Sequence, residues 1–395
     1  MLTTRNITLA VVALGIVVIG IFSYIFFINT PAGSSAQGGG GLFGSLFPFS
    51  TGSANPQGSE QKNNGVADQS AAPALRQVTS EAVSGGSLTD AGMIRYMERE
   101  TGHVYETPLA VLTRTRIANT TVPGVNDSTW GKGGLFILRM LADGEVTTLV
   151  GVLASSTPEQ SLQAKPLAPY TSGVLAPDGK TLWTVTSTDT GSHADIVNVG
   201  GNQKAVTLYS SPLRAWVPLT SGKDVYLASA PSSGIPGSLY KVSRDRTLEK
   251  IIGNIPGLMA LPSPSGKYIL YSTSAGSSLS TWVYDTVSKT AKKLPLATLA
   301  PKCAWVPNAE PLVFCGVPSD SPTGSQPDSW FLGLSSFTDR AWLLNPETGT
   351  ASAASDLSYS ASQSIDVYRP QISEDGAYAL FMNKNDLSLW SLKLK

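Results

Sequence analysis

The chain has 395 residues, more than a single compact core usually encloses, so it holds either several domains or one repeat architecture. Lysine plus arginine balance aspartate plus glutamate at 28 each and only 14% of residues are charged, which excludes the basic footprint of a nucleic-acid binder. Its 38 glycines and 26 prolines are spread along the chain, a composition suited to many short strands joined by turns.

Positions 1–6 form a short leader, and 7–28 (ITLAVVALGIVVIGIFSYIFFI) carry no charge, with nothing more polar than Thr8, Ser23 and Tyr24. At 1.5 Å per residue such a helix crosses about 30 Å of hydrocarbon, so a single membrane-spanning helix is predicted. Arg5 and the amino terminus are the only charges before it and none follows until Glu60. The positive-inside bias therefore predicts a cytoplasmic N-terminus and an exported remainder, tethered to the cell membrane. A cleaved signal peptide is the competing reading, with small residues at Ser34, Ser35 and Ala36, but the apolar run is longer than a typical signal core.

Positions 29–88 are dominated by Gly, Ser, Ala, Gln and Asn, including the run Gly38 to Gly41, and are predicted to be a flexible linker. Leu42, Phe43, Leu46, Phe47 and Phe49 interrupt it. They read either as a sticky patch within the linker or as a peptide that docks on a partner or a membrane surface.

From position 89 to the end, short apolar runs recur between turn signals with no sustained helical period, an all-β pattern. Strand, turn and strand repeat as a unit. The turn occurs as Ala176-Pro177-Asp178-Gly179-Lys180 before TLWTV, as Ser263-Pro264-Ser265-Gly266-Lys267 before YILYS, and as Ser373-Glu374-Asp375-Gly376 before AYALFM. Weaker copies precede LFILR, DVYLA and PLVFC. In this turn Pro presets φ, Asp or Ser caps the backbone, and Gly takes a positive φ. Aligned at Gly134, Gly179, Gly222, Gly266, Ala309 and Gly376, the units step by 45, 43, 44, 43 and 67 residues.

A spacing of about 40 to 45 residues is that of a four-stranded propeller blade. The strand, S-P-D-G-K-like turn and strand resemble the WD40-like, TolB-type β-propeller repeat over about positions 90 to 395. The six turn anchors imply a six-bladed β-propeller over 89–395, with seven as the alternative if positions 94 to 130 hold a further unit. The C-terminal unit supplies three strands, and Met93 to Arg99 is predicted to complete it as a clasp between the chain ends. The stretches RYMERETGHVYE and PDSWFLGLSSFTDRAW also resemble membrane-anchored propeller proteins of candidate-phylum bacteria, a likeness that implies no activity.

The long step leaves an excess of about 24 residues, placed at Pro318 to Thr338. Trp330, Phe331 and Phe337 make it a candidate binding loop on one face of the disc; the competing role is to plug the channel or cap an apolar edge. Cys303 and Cys315 flank a hairpin turn, and antiparallel pairing sets 303 opposite 314 or 315, so a disulfide is expected in an exported domain.

The two histidines, His103 and His193, lie far apart in the repeat, and Gly-x-Ser-x-Gly is absent. Asp178 and Asp375 are turn residues, and Trp130, Trp216 and Trp305 read as packing between blades. The sequence contains acceptor patterns for glycosylation at Asn119 and Asn126. No catalytic residue, metal or cofactor is predicted. The expected role is a membrane-tethered module outside the cytoplasm that binds or scaffolds protein, peptide or glycan at the cell envelope. The alternative is an envelope hydrolase or lyase using carboxylates on the channel face.

Overall fold

The computed structural model describes residues 72–395, apart from 119, 143, 154–161 and 244. The apolar segment 7–28 and the Leu42 to Phe49 peptide lie outside the described residues. Among those described, no helix is long and apolar enough to cross a membrane.

Seven four-stranded antiparallel sheets follow one another along the chain. Blades I to VI occupy 83–116, 125–167, 172–211, 216–256, 259–293 and 303–356. Blade VII takes three strands from 367–393 and its outermost strand, Leu75–Thr79, from the other end of the described chain. Leu75 pairs with Leu392 and Gln77 with Trp390, so the ring is closed by backbone hydrogen bonds. The ring thus has seven blades, not six.

Two further expectations are corrected with it. Met93–Glu98 is the second strand of blade I, not the clasp, and strands begin at Leu75, inside the stretch read as linker to position 88. Packing around the channel explains both errors. The innermost strand of blade I, Val83–Leu88, reads VSGGSL because its neighbours leave no room for side chains. A Cβ on Gly85 would lie 2.2 Å from the Ser128 carbonyl oxygen, and one on Gly86 3.0 Å from Leu389. Glycine forced by close approach has the same composition as glycine in a linker. The turn that would have marked this blade closes at Gly92 (φ 68°), whose amide donates to the Thr89 carbonyl.

The repeated turns take the predicted form. Gly179, Gly266 and Gly376 have φ of 69°, 75° and 68°, and each amide donates to the carbonyl three residues back. Asp178 accepts from the Lys180 and Thr181 amides, and the Ser373 hydroxyl and Ala377 amide hold the Asp375 carboxyl below the usual range. The core is a series of apolar layers between blades. Phe314 of blade VI stacks on Phe381 of blade VII at 6.4 Å, with Val306, Ala341, Val367 and Trp390 around them. Trp305 packs on Tyr268 and donates Nε1 to the Leu261 carbonyl of blade V, and Trp216 of blade IV clusters with Val185 and Ala194 of blade III.

Because strands alternate in direction, connections after the first and third strand of each blade open on one face, here the turn face. Connections after the second and fourth strands open on the other, the crossover face. Cys303 and Cys315 stand directly opposite in the first hairpin of blade VI, joined by a disulfide with their Cα atoms 4.1 Å apart. Non-reducing mass spectrometry of the chain is expected to yield the 303–315 peptide pair. Replacing both by serine should cost roughly 2–3 kcal/mol for a loop this short. Two thiols that alkylate in the native protein would contradict the bridge.

Candidate functional site

The innermost strands of blades I, II, III and VII and the first turns of blades I, II and III line a cavity of about 1000 Å³. Much of its wall is backbone, exposed where Gly85, Gly86, Gly131 and Gly179 allow the blades to approach. Both arginines of the wall are paired. Arg95 and Glu106 are cross-strand partners in blade I, 2.6 Å apart, and the Arg95 guanidinium lies over the Trp130 ring at 5.5 Å. Arg369 of blade VII reaches across the channel to Asp127 of blade II, at 2.5 Å. Beside it Gln371 donates to the Gly86 carbonyl and accepts from the Leu88 amide.

Arg369 is held in an unusual conformation. Its φ of 51° lies in the left-handed region, at a break in strand register between Tyr368 and Gln371, and Pro370 follows it. A non-glycine residue held there costs on the order of 1–3 kcal/mol unless its surroundings compensate. The bulge aims the guanidinium at Asp127 rather than along the strand face. Near this pair, burial pushes the Tyr170 hydroxyl up to about 12, so it stays a neutral donor at physiological pH, with the Arg139 guanidinium 4.5 Å from its ring. The cavity wall offers many hydrogen-bonding groups; its two arginines are paired with carboxylates, and Asp90 and Lys132 also line it.

The structure sets the other candidate residues elsewhere. The insert between the second and third strands of blade VI lies on the crossover face and includes a short helix, Asp328–Phe331. Trp330 and Phe337 point inward and are buried, whereas Phe331 is half exposed. Beneath them sits Lys302, wholly enclosed. Its ammonium donates to Asp339 Oδ2 at 2.7 Å, to Asp366 Oδ1 and to the Val367 carbonyl at 3.2 Å. The Phe337 and Trp330 rings lie 4.8 and 5.4 Å from it. Asp366 also accepts from Trp330 Nε1 at 2.9 Å and the Phe337 amide at 3.1 Å. This cluster ties the insert to the connections entering blades VI and VII, and its burial keeps it from any substrate. In it, burial raises the Asp339 carboxyl to about 6, with Lys302 opposing and Asp366 adding to the rise.

Neither histidine lines the cavity. His103 Nε2 is 3.2 Å from Thr121 Oγ1, and His193 Nε2 is 3.3 Å from Asp195 Oδ2. Trp130, read as packing, meets Phe136 and also forms part of the cavity wall. Arg95, Glu106, Arg369 and Gln371 were not singled out by the sequence. Arg95 and Glu106 carried a weak signal, as charges alternating with apolar residues in strands about to be buried; Arg369 carried none, because its role arises from a backbone bulge.

No protein-family model and no curated protein matches the chain in sequence. Solved structures do match it in shape. An oligogalacturonate lyase in complex with manganese aligns over 81% of this chain and 93% of its own, at 12% identity and a TM-score of 0.54. Virginiamycin B lyase from Staphylococcus aureus aligns over 81% of this chain and 99% of its own, at 11% identity and a TM-score of 0.52. TolB from Acinetobacter baumannii aligns over 76% of this chain and 78% of its own, at 14% identity and a TM-score of 0.44. At such identities likeness speaks for the fold and not for chemistry. Residues 75–393 of this chain form a seven-bladed β-propeller.

Proposed function

We propose that this chain is a binding module of the cell envelope: a propeller held outside the cytoplasm by an N-terminal membrane span, taking a polar protein segment, peptide or glycan into its channel mouth. The observation that carries this reading is the cavity of about 1000 Å³ whose arginines are each matched by a carboxylate. Such a wall favours a ligand rich in hydrogen-bonding groups, since a charge placed at either arginine would have to break an internal pair. The uncharged run 7–28, preceded only by Arg5, supports the tether, as does the likeness of two stretches to membrane-anchored propellers.

The test is titration of the chain against neutral oligosaccharide and peptide libraries, followed by the best binder against Arg369→Ala. Loss of a charge-assisted contact predicts affinity about tenfold or more weaker. Unchanged affinity would remove the channel mouth from the reading. Turnover of any library member that disappears in Glu106→Gln would replace binding with catalysis.

A further inference from the structure

Lys302 differs from the other ion-paired side chains in being wholly out of water. It and its partners Asp339 and Asp366 are each 0% exposed, whereas every other ion pair among the described residues keeps at least one partner more than a tenth exposed. An ammonium and a carboxylate enclosed in this way bear the desolvation cost of two ions. Joined as an amide they carry no charge, and the only by-product is water.

The surroundings of Asp366 suit that condensation. Its Oδ2 accepts from Trp330 Nε1 at 2.9 Å and from the Phe337 amide at 3.1 Å, two N–H groups converging on one oxygen as in an oxyanion hole. Its Oδ1 faces Lys302 Nζ, with Trp330 Nε1 farther off at 3.2 Å. The backbone of Asp366 is fixed on both sides: its amide donates to Asn383 Oδ1 at 3.0 Å and its carbonyl accepts from the Lys384 amide at 2.8 Å. Asp339 also touches Nζ. Its Oδ2 lies 2.7 Å from the nitrogen and accepts from the Val367 amide at 2.6 Å, while its Oδ1 is buried with no hydrogen-bond partner among the described residues. Burial raises this carboxyl to about 6, so it takes up and returns a proton near neutral pH.

We infer that Lys302 and Asp366 condense within the folded chain to an isopeptide bond, Nζ to Cγ, with Asp339 as the proton carrier. Nζ first gives one proton to Asp366 Oδ1, leaving a neutral amine beside a neutral acid. The nitrogen lone pair then attacks Cγ, and the carbonyl electron pair moves onto Oδ2, where Trp330 Nε1 and the Phe337 amide hold it. Asp339 takes a second proton from the nitrogen and passes it to Oδ1. The Cγ–Oδ1 bond breaks, water leaves, the carbonyl re-forms at Oδ2, and Asp339 is again a carboxylate. Contact between the partners replaces concentration, since well-oriented intramolecular groups reach effective molarities of about 10⁵–10⁸ M. The Phe337 and Trp330 rings, 4.8 and 5.4 Å from Nζ, keep out the water that would reverse the step. Lys302 ends the turn leading into blade VI and Asp366 immediately precedes the first strand of blade VII, so the bond joins the two blades across 64 positions of sequence and encloses the insert. In a chain where it has not formed, the three groups remain an ion cluster, and Lys302→Met leaves both carboxyls uncompensated in either case.

The experiment uses the purified full chain, reduced so that the 303–315 bridge adds nothing, and reads intact mass and tryptic peptides. The expected result is a mass one water below that of the sequence, no cleavage after Lys302, and a branched peptide with 302 on one arm and 366 on the other. A chain of full mass overturns the inference. So does loss of water without the branched peptide, which would be a cyclic imide at Asp178-Gly179 or Asp375-Gly376. Asp339→Asn should give a cooperatively melting chain of full mass; the same variant folded and still branched removes Asp339 as the carrier. If Asp339→Asn does not fold, Asp366→Asn decides, because an amide condenses with the same lysine to the same bond with loss of ammonia. That variant should yield the same branched peptide at one ammonia below its sequence mass, and a folded Asp366→Asn chain of full mass overturns the inference.

Discussion

Lys302→Met is expected to destabilise the propeller by about 3–5 kcal/mol at pH 7.5, the usual consequence of leaving a buried partner charge uncompensated. Methionine fills most of the lysine stem's volume, so the loss reports charge and hydrogen bonding rather than a void. Asp339 and Asp366, both fully buried, then face each other without the ammonium that both contact. The effect depends on pH with a definite sign. Asp339 titrates near 6 in the folded protein, above its ordinary value of 3.8, so the folded state holds this proton more tightly than the unfolded one. Its contribution to stability is complete below about 3.8 and is lost as pH rises through about 6. Removing the ammonium raises the folded value further, because Lys302 opposes the shift. The gap between wild type and variant should therefore narrow as pH falls from 7.5 to 5, where a neutral carboxyl needs no counter-charge. Denaturant melts at both pH values check this, and a gap independent of pH would mean that lost packing dominates.

Trp330→Ser is expected to cost about 3–5 kcal/mol and to lower the thermal midpoint by roughly 5–10 °C, as for other deletions of a buried indole. Trp330 is fully buried, stacks on Phe337 at 6.3 Å and meets Tyr368 edge-on at 6.0 Å. Its Nε1 is one of the donors that satisfy Asp366, so the substitution removes packing and strips the buried carboxylate together. Its neighbour Phe331 supplies the contrast. With half its surface already in water, Phe331→Ser should change stability by less than about 1 kcal/mol. Calorimetry of the two variants checks both. A Trp330→Ser protein that melts like wild type would mean that the insert does not depend on the cluster beneath it.

The repeat was legible because its cause is local. A turn that must reverse the chain requires a residue tolerant of positive φ, and Gly179, Gly266 and Gly376 recur where that requirement falls. The register of Cys303 with Cys315 was legible within a residue for the same reason, since a short hairpin constrains what faces what. Ring closure by the two ends of the chain also followed from a last unit one strand short. What the sequence could not settle depends on contacts made across the ring. Gly85 and Gly86 look like linker until Ser128 and Leu389 are seen beside them, and that concealed both blade I and the true clasp at Leu75–Thr79. The aromatic residues of the insert marked an ordered excursion, but only the buried Lys302 ammonium explains why Trp330 and Phe337 turn inward while Leu332 and Leu334 turn out. Arg369 meets Asp127 across 242 positions of sequence through a bulge of the innermost strand. Period and turn chemistry belong to a few adjacent residues and can be read from them; blade number, clasp, insert orientation and channel pairing belong to surfaces that exist only once the ring has closed.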